Sequence, residues 1–269
     1  MNQAASDPQG EVRLERRGHV HLICLSRPAK LNGITPKMLR ELAEAYTVFE
    51  DDPEARCAVL HADGAHFTAG LDLPSFAPYM QRGEKVFPFG LVEPNDLGTP
   101  GFRRRGKPLV AAVKGITFTI GIELMLAADI VVSAADGRFS QLEVKRGIMA
   151  TGGATLRMVE RAGWGNAMLH LLTGDEFNAE EALRLGFVQQ VVAPGEELGR
   201  AIAIAEAIAA QAPMAVYATR LNAQKAIEHS MAAAVADFVS TQSRLAKSQD
   251  AAEGVASFKE KRPVRFAGQ

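Results

Sequence analysis

The sequence predicts an α/β fold built around a largely parallel sheet. Short apolar runs, typical of strands buried on both faces, alternate along the chain with helical patterns, and this alternation favours parallel pairing. The 269 residues are 47% hydrophobic, so the chain can bury a substantial core. Charged residues make up 23% and aromatic residues 6%, a composition that excludes a disordered or collagen-like chain.

The first predicted elements are two strands followed by a helix. Residues 11–16 and 19–25 have strand character. In the helix, Thr35 is placed to act as the N-cap and Pro36 occupies the first helical position. Apolar residues then recur at helical spacing and define one buried face, which consists of Met38, Leu39, Leu42, Ala43, Tyr46 and Phe49.

Four later apolar runs predict further strands buried on both faces. They lie at residues 57–61, 109–113, 130–132 and 188–192. Between them, residues 76–107 contain several prolines and glycines among the scattered apolar side chains of Met80, Phe87, Phe89 and Phe102. Because long irregular segments in compact domains are usually functional, we expect a loop that shapes an apolar pocket.

The last third of the chain is predicted to be helical. Residues 200–210 are nearly all alanine and isoleucine, which predicts a helix packed closely on several sides. Residues 215–247 have the pattern of an amphipathic helix, with a break expected near residues 228–230. Composition does not shift sharply anywhere, so we predict no autonomous second domain.

Charge and targeting signals argue against several partners. Thirty basic and 31 acidic residues give a net charge of −1, so nothing drives binding to nucleic acid or to an anionic membrane. The most apolar stretch, residues 109–132, is interrupted by Lys114, Glu123 and Asp129, and falls short of the ~20 apolar residues of a membrane span. The first residues have no signal-peptide pattern, and both cysteines lie in apolar runs. We therefore expect a soluble cytoplasmic protein.

Two glutamates are candidates for acid–base chemistry. Glu123 lies in a helical segment, residues 120–128, that is apolar on every face, so burial is expected to raise its pKa. A raised pKa suits a general acid or base, whereas stabilisation of a first-turn carboxylate by the helix dipole is the structural alternative. Glu143 either pairs with Lys145 or Arg146 on the surface or shares a cleft with Glu123, where two carboxylates can divide acid and base roles.

Two glycine-containing turns are candidates for binding negative charge. They lie at residues 67–72 and 115–121, and each leads into a predicted helix. Because the first amides of a helix have no partner within it, two such turns that converge would form an oxyanion hole. Either turn alone is a weak signal.

Other motifs in the chain carry no chemistry that we can assign. His19 and His21 lie on one strand face, but no third ligand is near them in sequence, so no metal site is predicted. Residues 151–154 lack the ending of a phosphate loop, and the chain has no Gly-x-Ser-x-Gly elbow. The basic residues of 102–107 predict a solvated loop, with contact to phosphates or a partner surface as the alternative.

A series of motifs occurs in order along nearly the whole chain. They lie at residues 26–32, 67–73, 107–115, 128–130, 173–174, 179–182, 186–188 and 257–262. This ordered series resembles the crotonase superfamily, also called the enoyl-CoA hydratase/isomerase family. In that resemblance the first motif contacts coenzyme A, the second and third lead to the two halves of an oxyanion hole, and the last reaches the coenzyme A of a neighbouring subunit.

The resemblance implies a crotonase-like spiral of ββα units. Residues 1–195 would form the catalytic core and residues 196–269 a helical C-terminal region for trimerisation. The family commonly assembles as homotrimers or as dimers of trimers, so the implied partners are copies of this chain and an acyl-CoA, with neither nucleic acid nor a membrane.

The resemblance also implies the site and the reaction. The amides of Leu71 and Ile120 would grip a thioester oxygen, while Glu123 and Glu143 fall on the acid–base positions of family hydratases. Hydration of a 2-enoyl-CoA is the implied reaction; a double-bond isomerase and a non-catalytic acyl-CoA-binding protein are the alternatives. Coenzyme A enters as part of the substrate, so no metal or separate cofactor is implied. The implied coenzyme A contacts are Ala29, Lys30, Leu31, Ala69, Asp72, Leu73, Phe258 and Lys261.

The chain departs from the family pattern at two places. The family usually has three glycines before the first glutamate, whereas this chain has Thr119, Ile120 and Gly121. The Ile120 amide survives the change, but we expect the stiff β-branched side chain to tighten or tilt the hole. Residues 146–153 also lack the usual proline.

Overall fold

The computed structural model describes residues 7–84 and 86–269, and in that part of the chain the strands form two sheets. The larger sheet has the order β1-β2-β3-β4-β6-β9, and the smaller one has the order β5-β7-β8. In the larger sheet β1 and β2 are antiparallel and all other neighbours are parallel, which confirms the predicted pairing. The strands are β1 (Glu11–Arg17), β2 (Val20–Ser26), β3 (Cys57–Ala62), β4 (Leu109–Val113), β5 (Ile116–Phe118), β6 (Ile130–Ala134), β7 (Arg138–Ser140), β8 (Phe177–Asn178) and β9 (Gln190–Val192).

Helices surround both sheets. No single described helix has the length and apolar character to cross a membrane. Helices α7 (Glu197–Ala209) and α8 (Pro213–Glu228), bent by 108° at their junction, meet that test as a pair. Two 3-10 helices are η1 (Pro28–Lys30) and η2 (Glu143–Arg146). The α-helices are α1 (Pro36–Asp51), α2 (Leu73–Arg82), α3 (Ile120–Ala127), α4 (Ala154–Ala162), α5 (Trp164–Thr173), α6 (Ala179–Arg184), α7 (Glu197–Ala209), α8 (Pro213–Glu228), α9 (Met231–Ala236), α10 (Phe238–Leu245) and α11 (Gln249–Glu260).

Helix α1 begins where the sequence predicts. The Thr35 side chain accepts a hydrogen bond from the Met38 amide at 3.2 Å, and Pro36 occupies the first turn, where no amide donor is needed. The predicted apolar face is buried except for Leu39, which is half-buried against the same core. Burial of this face therefore fixes α1 against the sheet.

The larger sheet is buried on both faces, as its continuous apolar strands predict. Alternate residues of each strand belong to different cores: Ile23 and Leu60 pack on the α1 side, whereas Leu22 and Val59 pack on the α7 side. Helix α7 presents a stripe of small residues to this second face, formed by Ala201, Ala205 and Ala209. Its opposite side is exposed, so the prediction that this helix packs on several sides is wrong.

Three other predictions need correction. Helix α2 occupies the beginning of the segment 76–107, which the sequence left without secondary structure. The last strand covers only Gln190–Val192 and is half-buried, because it lies at the edge of the sheet. The segment 215–247 forms three helices rather than one, although the expected break is present at His229 and Ser230, where Ser230 caps α9. The smaller sheet was not predicted, because its strands have only two or three residues.

A cluster of charges joins the loop before β4 to the end of α3 and to α8; Asp96 and Arg105 are buried, whereas Asp129 is partly exposed. Arg105 is only 1% exposed, and its Nη1 donates to Asp129 Oδ2 at 2.7 Å. Arg220 of α8 donates to Asp129 Oδ1 at 2.8 Å and to Asp96 Oδ2 at 2.9 Å. Burial alone would raise the pKa of Asp129, but the two guanidinium groups outweigh it and lower that pKa. Asp129 is therefore ionised at neutral pH, and its ion pair with Arg220 holds α8 to the core.

We expect Asp129→Asn to lower the free energy of unfolding by about 3 kcal/mol at pH 7, because Arg105 is then buried without its charge partner. Urea denaturation measures the loss. Asp136→Asn, on an exposed turn, is the control and should change stability by less than about 0.5 kcal/mol. Because the folded pKa of Asp129 is lowered, its contribution is present at neutral pH and is lost as the pH falls through that folded value. Equal stability of the two variants would contradict this role.

Candidate active site

The candidate site is a cavity of about 440 Å³ between the first turn after β3, the beginning of α3, and η2 with the segment that follows it. All four predicted catalytic residues line this cavity, namely Leu71, Ile120, Glu123 and Glu143. They come from three segments that are distant in sequence. The fold thus brings together the residues that the sequence selected.

The first turn leaves the Leu71 amide without an internal acceptor. On either side of it, the Ile34 amide donates to Gly70 O and the Asp72 amide donates to Ile34 O, both at 2.8 Å. Thr68 Oγ1 accepts from the Gly70 amide at 3.1 Å and so shapes the turn. Within residues 7–84 and 86–269 the Leu71 amide itself has no hydrogen-bond acceptor, although Leu71 lines the cavity. This amide is available to a ligand.

The second turn places the Ile120 amide at the same cavity. Ile120 is the first residue of α3, where an amide has no partner within the helix, and no acceptor for it is found in the described part of the chain. The Phe118 amide donates to Thr68 O at 3.0 Å, which fastens the second turn to the first. Two unpaired amides beside one cavity are the arrangement that stabilises a developing oxyanion.

The replacement of the family's glycines by Thr119 and Ile120 affects the backbone at Thr119, not at Ile120 as expected. Ile120 begins the helix, so its backbone is unstrained there. Thr119 instead has φ +50° and ψ −117°, a region in which a β-branched residue is a rare outlier. Backbone strain of this kind costs about 1–3 kcal/mol and is concentrated at functional sites. The strain in the second turn is therefore carried by Thr119.

Glu123 is buried and its carboxylate is held by main-chain amides. It is 5% exposed, and Oε1 accepts from the Gly152 amide at 2.6 Å and from the Ala154 amide at 3.3 Å. Burial raises the pKa of Glu123; the two amides and the Arg157 guanidinium oppose that rise without cancelling it. A Cβ on Gly152 would overlap this carboxylate, so glycine is required there. Stabilisation of Glu123 by the dipole of its own helix is therefore not the whole explanation, because amides of another segment also hold its carboxylate.

Glu143 begins η2, is half-buried and lines the same cavity. Burial raises the pKa of Glu143 to about 7; its own backbone amide opposes the rise, and the charge of Glu123 adds to it. The two carboxylates therefore line the same cavity and interact electrostatically. No ion pair with Lys145 or Arg146 is found for Glu143 in the described residues, so the surface-pair alternative is wrong.

Two residues that contact or act on these glutamates were not predicted from the sequence. Gln141 is buried, and its side-chain amide faces the Glu143 carboxylate; with the nitrogen turned toward the carboxylate it donates at 2.7 and 3.1 Å. Arg157 of α4 is held by Asp96 O at 3.0 Å and is the cation that acts on Glu123. Gln141 is a sequence neighbour of Glu143, whereas Arg157 comes close to Glu123 only through tertiary packing.

The residues that the resemblance assigns to coenzyme A are only partly at the cavity. Lys30, Ala69, Asp72 and Leu73 line it. Asp72 forms an ion pair with Arg27 at 2.8 Å. Ala29 and Leu31 adjoin Lys30 in and after η1 but do not line the cavity. Phe258, which is 86% exposed, and Lys261 belong to the end of α11 and also lie outside this cavity.

The two histidines before and within β2 have partners of their own. His19 Nδ1 lies 2.7 Å from Glu54 O, and His21 Nε2 lies 3.0 Å from Asp52 Oδ2. Across residues 7–84 and 86–269, no group of three or more His, Cys, Asp or Glu side chains comes together as a metal site.

Comparison with known proteins identifies the family. The model of the enoyl-CoA hydratase/isomerase family matches residues 15–269. Enoyl-CoA hydratase EchA19 of Mycobacterium tuberculosis is 34% identical over 260 residues, which are 95% of this chain and 96% of that protein. Carnitinyl-CoA dehydratase of Proteus mirabilis is 34% identical over 267 residues, which are 96% of this chain and 98% of that protein.

Solved structures are similar over the same length. A probable enoyl-CoA hydratase/isomerase from Mycobacterium abscessus superposes with a TM-score of 0.92 and 46% identity, covering 96% of this chain and 98% of that one. An enoyl-CoA hydratase from Mycobacterium tuberculosis gives a TM-score of 0.85 and 36% identity, covering 98% of this chain and all of that one (100%). Fold and site thus define a protein of the crotonase superfamily. The chain belongs to the enoyl-CoA hydratase/isomerase family, and its general activity is that of the family's acyl-CoA enzymes.

We expect Glu143→Gln to stabilise the fold at pH 8, because it removes a carboxylate whose ionisation is disfavoured by burial and by Glu123. The folded pKa, about 7, lies above the ordinary value of 4.5, so wild-type stability is full below pH 4.5 and falls as the pH rises toward 7. Urea denaturation at pH 5 and pH 8 should show the stability difference only at the higher pH. The exposed Glu44→Gln is the control, with no such difference. An equal effect of both substitutions at pH 8 would refute the expectation.

Proposed function

We propose that this protein hydrates a 2-enoyl-CoA to a 3-hydroxyacyl-CoA. The observation that carries the proposal is the meeting of Glu123 and Glu143 in one cavity beside the amides of Leu71 and Ile120. Two carboxylates with unlike surroundings can hold unlike protonation states at the same pH, which addition of water across a double bond requires.

The two amides would bind the thioester oxygen of the substrate. When water adds at C3, electron density moves through C2 to this oxygen, which becomes enolate-like. Because neither amide has an acceptor among the described residues, both are free to donate to it without giving up another bond. Removal of one donor of this kind typically costs 10²–10³ in rate.

Glu123 would act as the base and Glu143 as the acid. The amides of Gly152 and Ala154 and the charge of Arg157 favour the ionised form of Glu123, whereas the pKa of about 7 leaves Glu143 largely protonated in weakly acidic solution. Glu123 takes a proton from the water whose oxygen bonds to C3, and Glu143 gives its proton to C2. One water is thus added across the double bond: its hydroxyl to C3, and the Glu143 proton to C2. The proton that Glu123 took from the water returns to Glu143 through solvent.

The cavity walls fit an acyl thioester. Leu73, Met80, Ile148 and Met149 supply an apolar lining for the acyl group. Among the described residues of the segment 76–107, only Met80 lines the cavity; Phe87, Phe89 and Phe102 pack with one another elsewhere. Lys30 and the exposed Arg146 supply positive charge for the coenzyme A phosphates. In this proposal coenzyme A is part of the substrate, and the step uses no metal or redox cofactor.

We propose a homotrimer, or a dimer of trimers, as the assembled form. Large apolar side chains are exposed on α5 and on the C-terminal helices, and such surfaces mark interfaces. In this assembly residues 1–195 form the catalytic core and residues 196–269 the oligomerisation region, although α7 also packs on the sheet. Phe258 and Lys261 would reach the coenzyme A of a neighbouring subunit.

The two free cysteines of the chain, Cys24 and Cys57, are buried. Free buried thiols suit the cytoplasm, which we propose as the location of the protein.

Glu123→Gln and Glu143→Gln should each lower kcat by about 10²–10⁴-fold, because each removes a positioned proton-transfer group. Acyl-CoA affinity should change little. Loss of the conjugated enoyl absorbance measures the rate, and Glu44→Gln is the control. Wild-type rates in both variants would refute hydration. Conversion of 3-enoyl to 2-enoyl thioesters without hydration would instead identify an isomerase, and binding without turnover a non-catalytic protein.

The rate should depend on pH through both acids. Because Glu143 must carry its proton, kcat/KM should fall as the pH rises through about 7. It should also fall in acid, where Glu123, whose pKa lies above 4.5, gains a proton. The two apparent pKa values belong to the coupled pair. In Glu143→Gln the residual rate should lose its decline above pH 7; an unchanged decline would contradict the assignment of Glu143 as the acid.

A further inference from the structure

We propose that the Thr119 hydroxyl is a third hydrogen-bond donor to the thioester oxygen, which makes Thr119 a catalytic residue. The inference rests on the proposed function and adds to it a group that the two main-chain amides do not include. Three observations carry it: the backbone conformation of Thr119, the position of its hydroxyl, and the lack of a partner for that hydroxyl.

The conformation of Thr119 is costly for its residue type. At φ +50° the Cβ of an L-residue crowds the backbone, and branching at Cβ increases the crowding. Glycine would adopt the same angles without this cost. A strained threonine at the turn that presents the Ile120 amide therefore calls for a role that glycine cannot fill.

The hydroxyl faces the other half of the oxyanion hole. A Cβ on Gly70 would overlap Thr119 Oγ1, whereas it would lie 3.5 Å from Thr119 Cβ and 3.6 Å from Cγ2. The hydroxyl is thus the atom of Thr119 that lies closest to Gly70. Gly70 directly precedes Leu71, and Thr119 directly precedes Ile120. The hydroxyl of the second turn therefore approaches the first turn beside the Leu71 amide. Both Gly70 and Thr119 line the cavity.

The hydroxyl has no structural hydrogen bond to make. Thr119 stands at the N-cap of α3, but its side chain does not cap the helix. Among residues 7–84 and 86–269 the Thr119 hydroxyl has no hydrogen-bond partner. The Thr68 hydroxyl, in contrast, bonds to the main chain. A hydroxyl proton rotates freely about its C–O bond, so it can point to an oxygen bound between the two turns.

Such a donor would act mainly in the transition state. The thioester oxygen is a weak acceptor in the bound substrate and gains negative charge as water adds. Hydrogen bonds to charged oxygens are about twice as strong as bonds between neutral groups. The hydroxyl would therefore raise kcat more than it improves substrate affinity.

Three substitutions test the proposal. Thr119→Val keeps the branched shape and removes the donor, Thr119→Ala removes both, and Thr119→Ser keeps the donor. We expect Val and Ala to lower kcat by about 10- to 100-fold with little change in KM, and Ser to keep most of the rate. The carbonyl stretch of bound butyryl-CoA should lie at higher frequency in Val and Ala than in wild type, because the oxygen has lost a donor.

Thr117→Val is the matched control. Thr117 lies two residues earlier, in β5, is fully buried, and its hydroxyl also has no partner in the described chain. It should keep the wild-type rate and carbonyl frequency. Wild-type kcat and carbonyl frequency in both Thr119→Val and Thr119→Ala would overturn the proposal, and so would an equal loss in Thr119→Ser. If the wild-type protein hydrates no enoyl-CoA, the proposed function fails instead, so the two failures are distinguishable.

Discussion

Burial of the Glu123 carboxylate is the constraint on which the site depends. Helix α3 is apolar on every side and all eight of its residues are buried, so this carboxylate is largely removed from bulk water and meets solvent only at the cavity. It is accommodated because the segment before α4 turns its amides toward Oε1. That segment must come close, and Gly152 permits the approach, since any side chain there would occupy the space of the carboxylate. The positions of α3 and α4 thus follow from one ionisable group.

The site combines several features that disfavour folding. Two main-chain amides have no acceptor in the described chain, Thr119 has a strained backbone, and Glu143 has a raised pKa. The unpaired amides and the raised pKa are offset only when a ligand or a proton is bound, and all three features are typical of functional sites. Stability comes from elsewhere: from a sheet buried on both faces and from the ion pairs of Arg105 and Arg220 with Asp129.

The similarity to family members supports the class of reaction, and the chain's own residues support a choice within it. A site with one carboxylate can move a proton, but it cannot hold water with one acid and protonate carbon with another. Here the second acid, Glu143, faces the same cavity as Glu123, and Gln141 lies against it. Departure from glycine at Thr119 alters the second turn without removing its amide.

The sequence by itself determined the fold class, the beginning of α1 and the buried strands, and it marked Glu123 as a candidate acid or base. These follow from local patterns, since capping, apolar periodicity and a carboxylate in an apolar helix are visible within a few residues. The residues around Glu143 also fitted a surface ion pair, and the family resemblance was what implied an acid–base role for it. Tertiary structure decided what depends on contacts between distant segments. The support from Arg157 and the Gly152 amide became visible only there, because it arises where segments far apart in sequence meet. The contact of Gln141 with Glu143 and the strain at Thr119 also became visible only there, because they depend on the backbone conformation of their turns. The short strands β5, β7 and β8 were missed for the same reason: two or three residues carry too little periodicity, and only their pairing defines them.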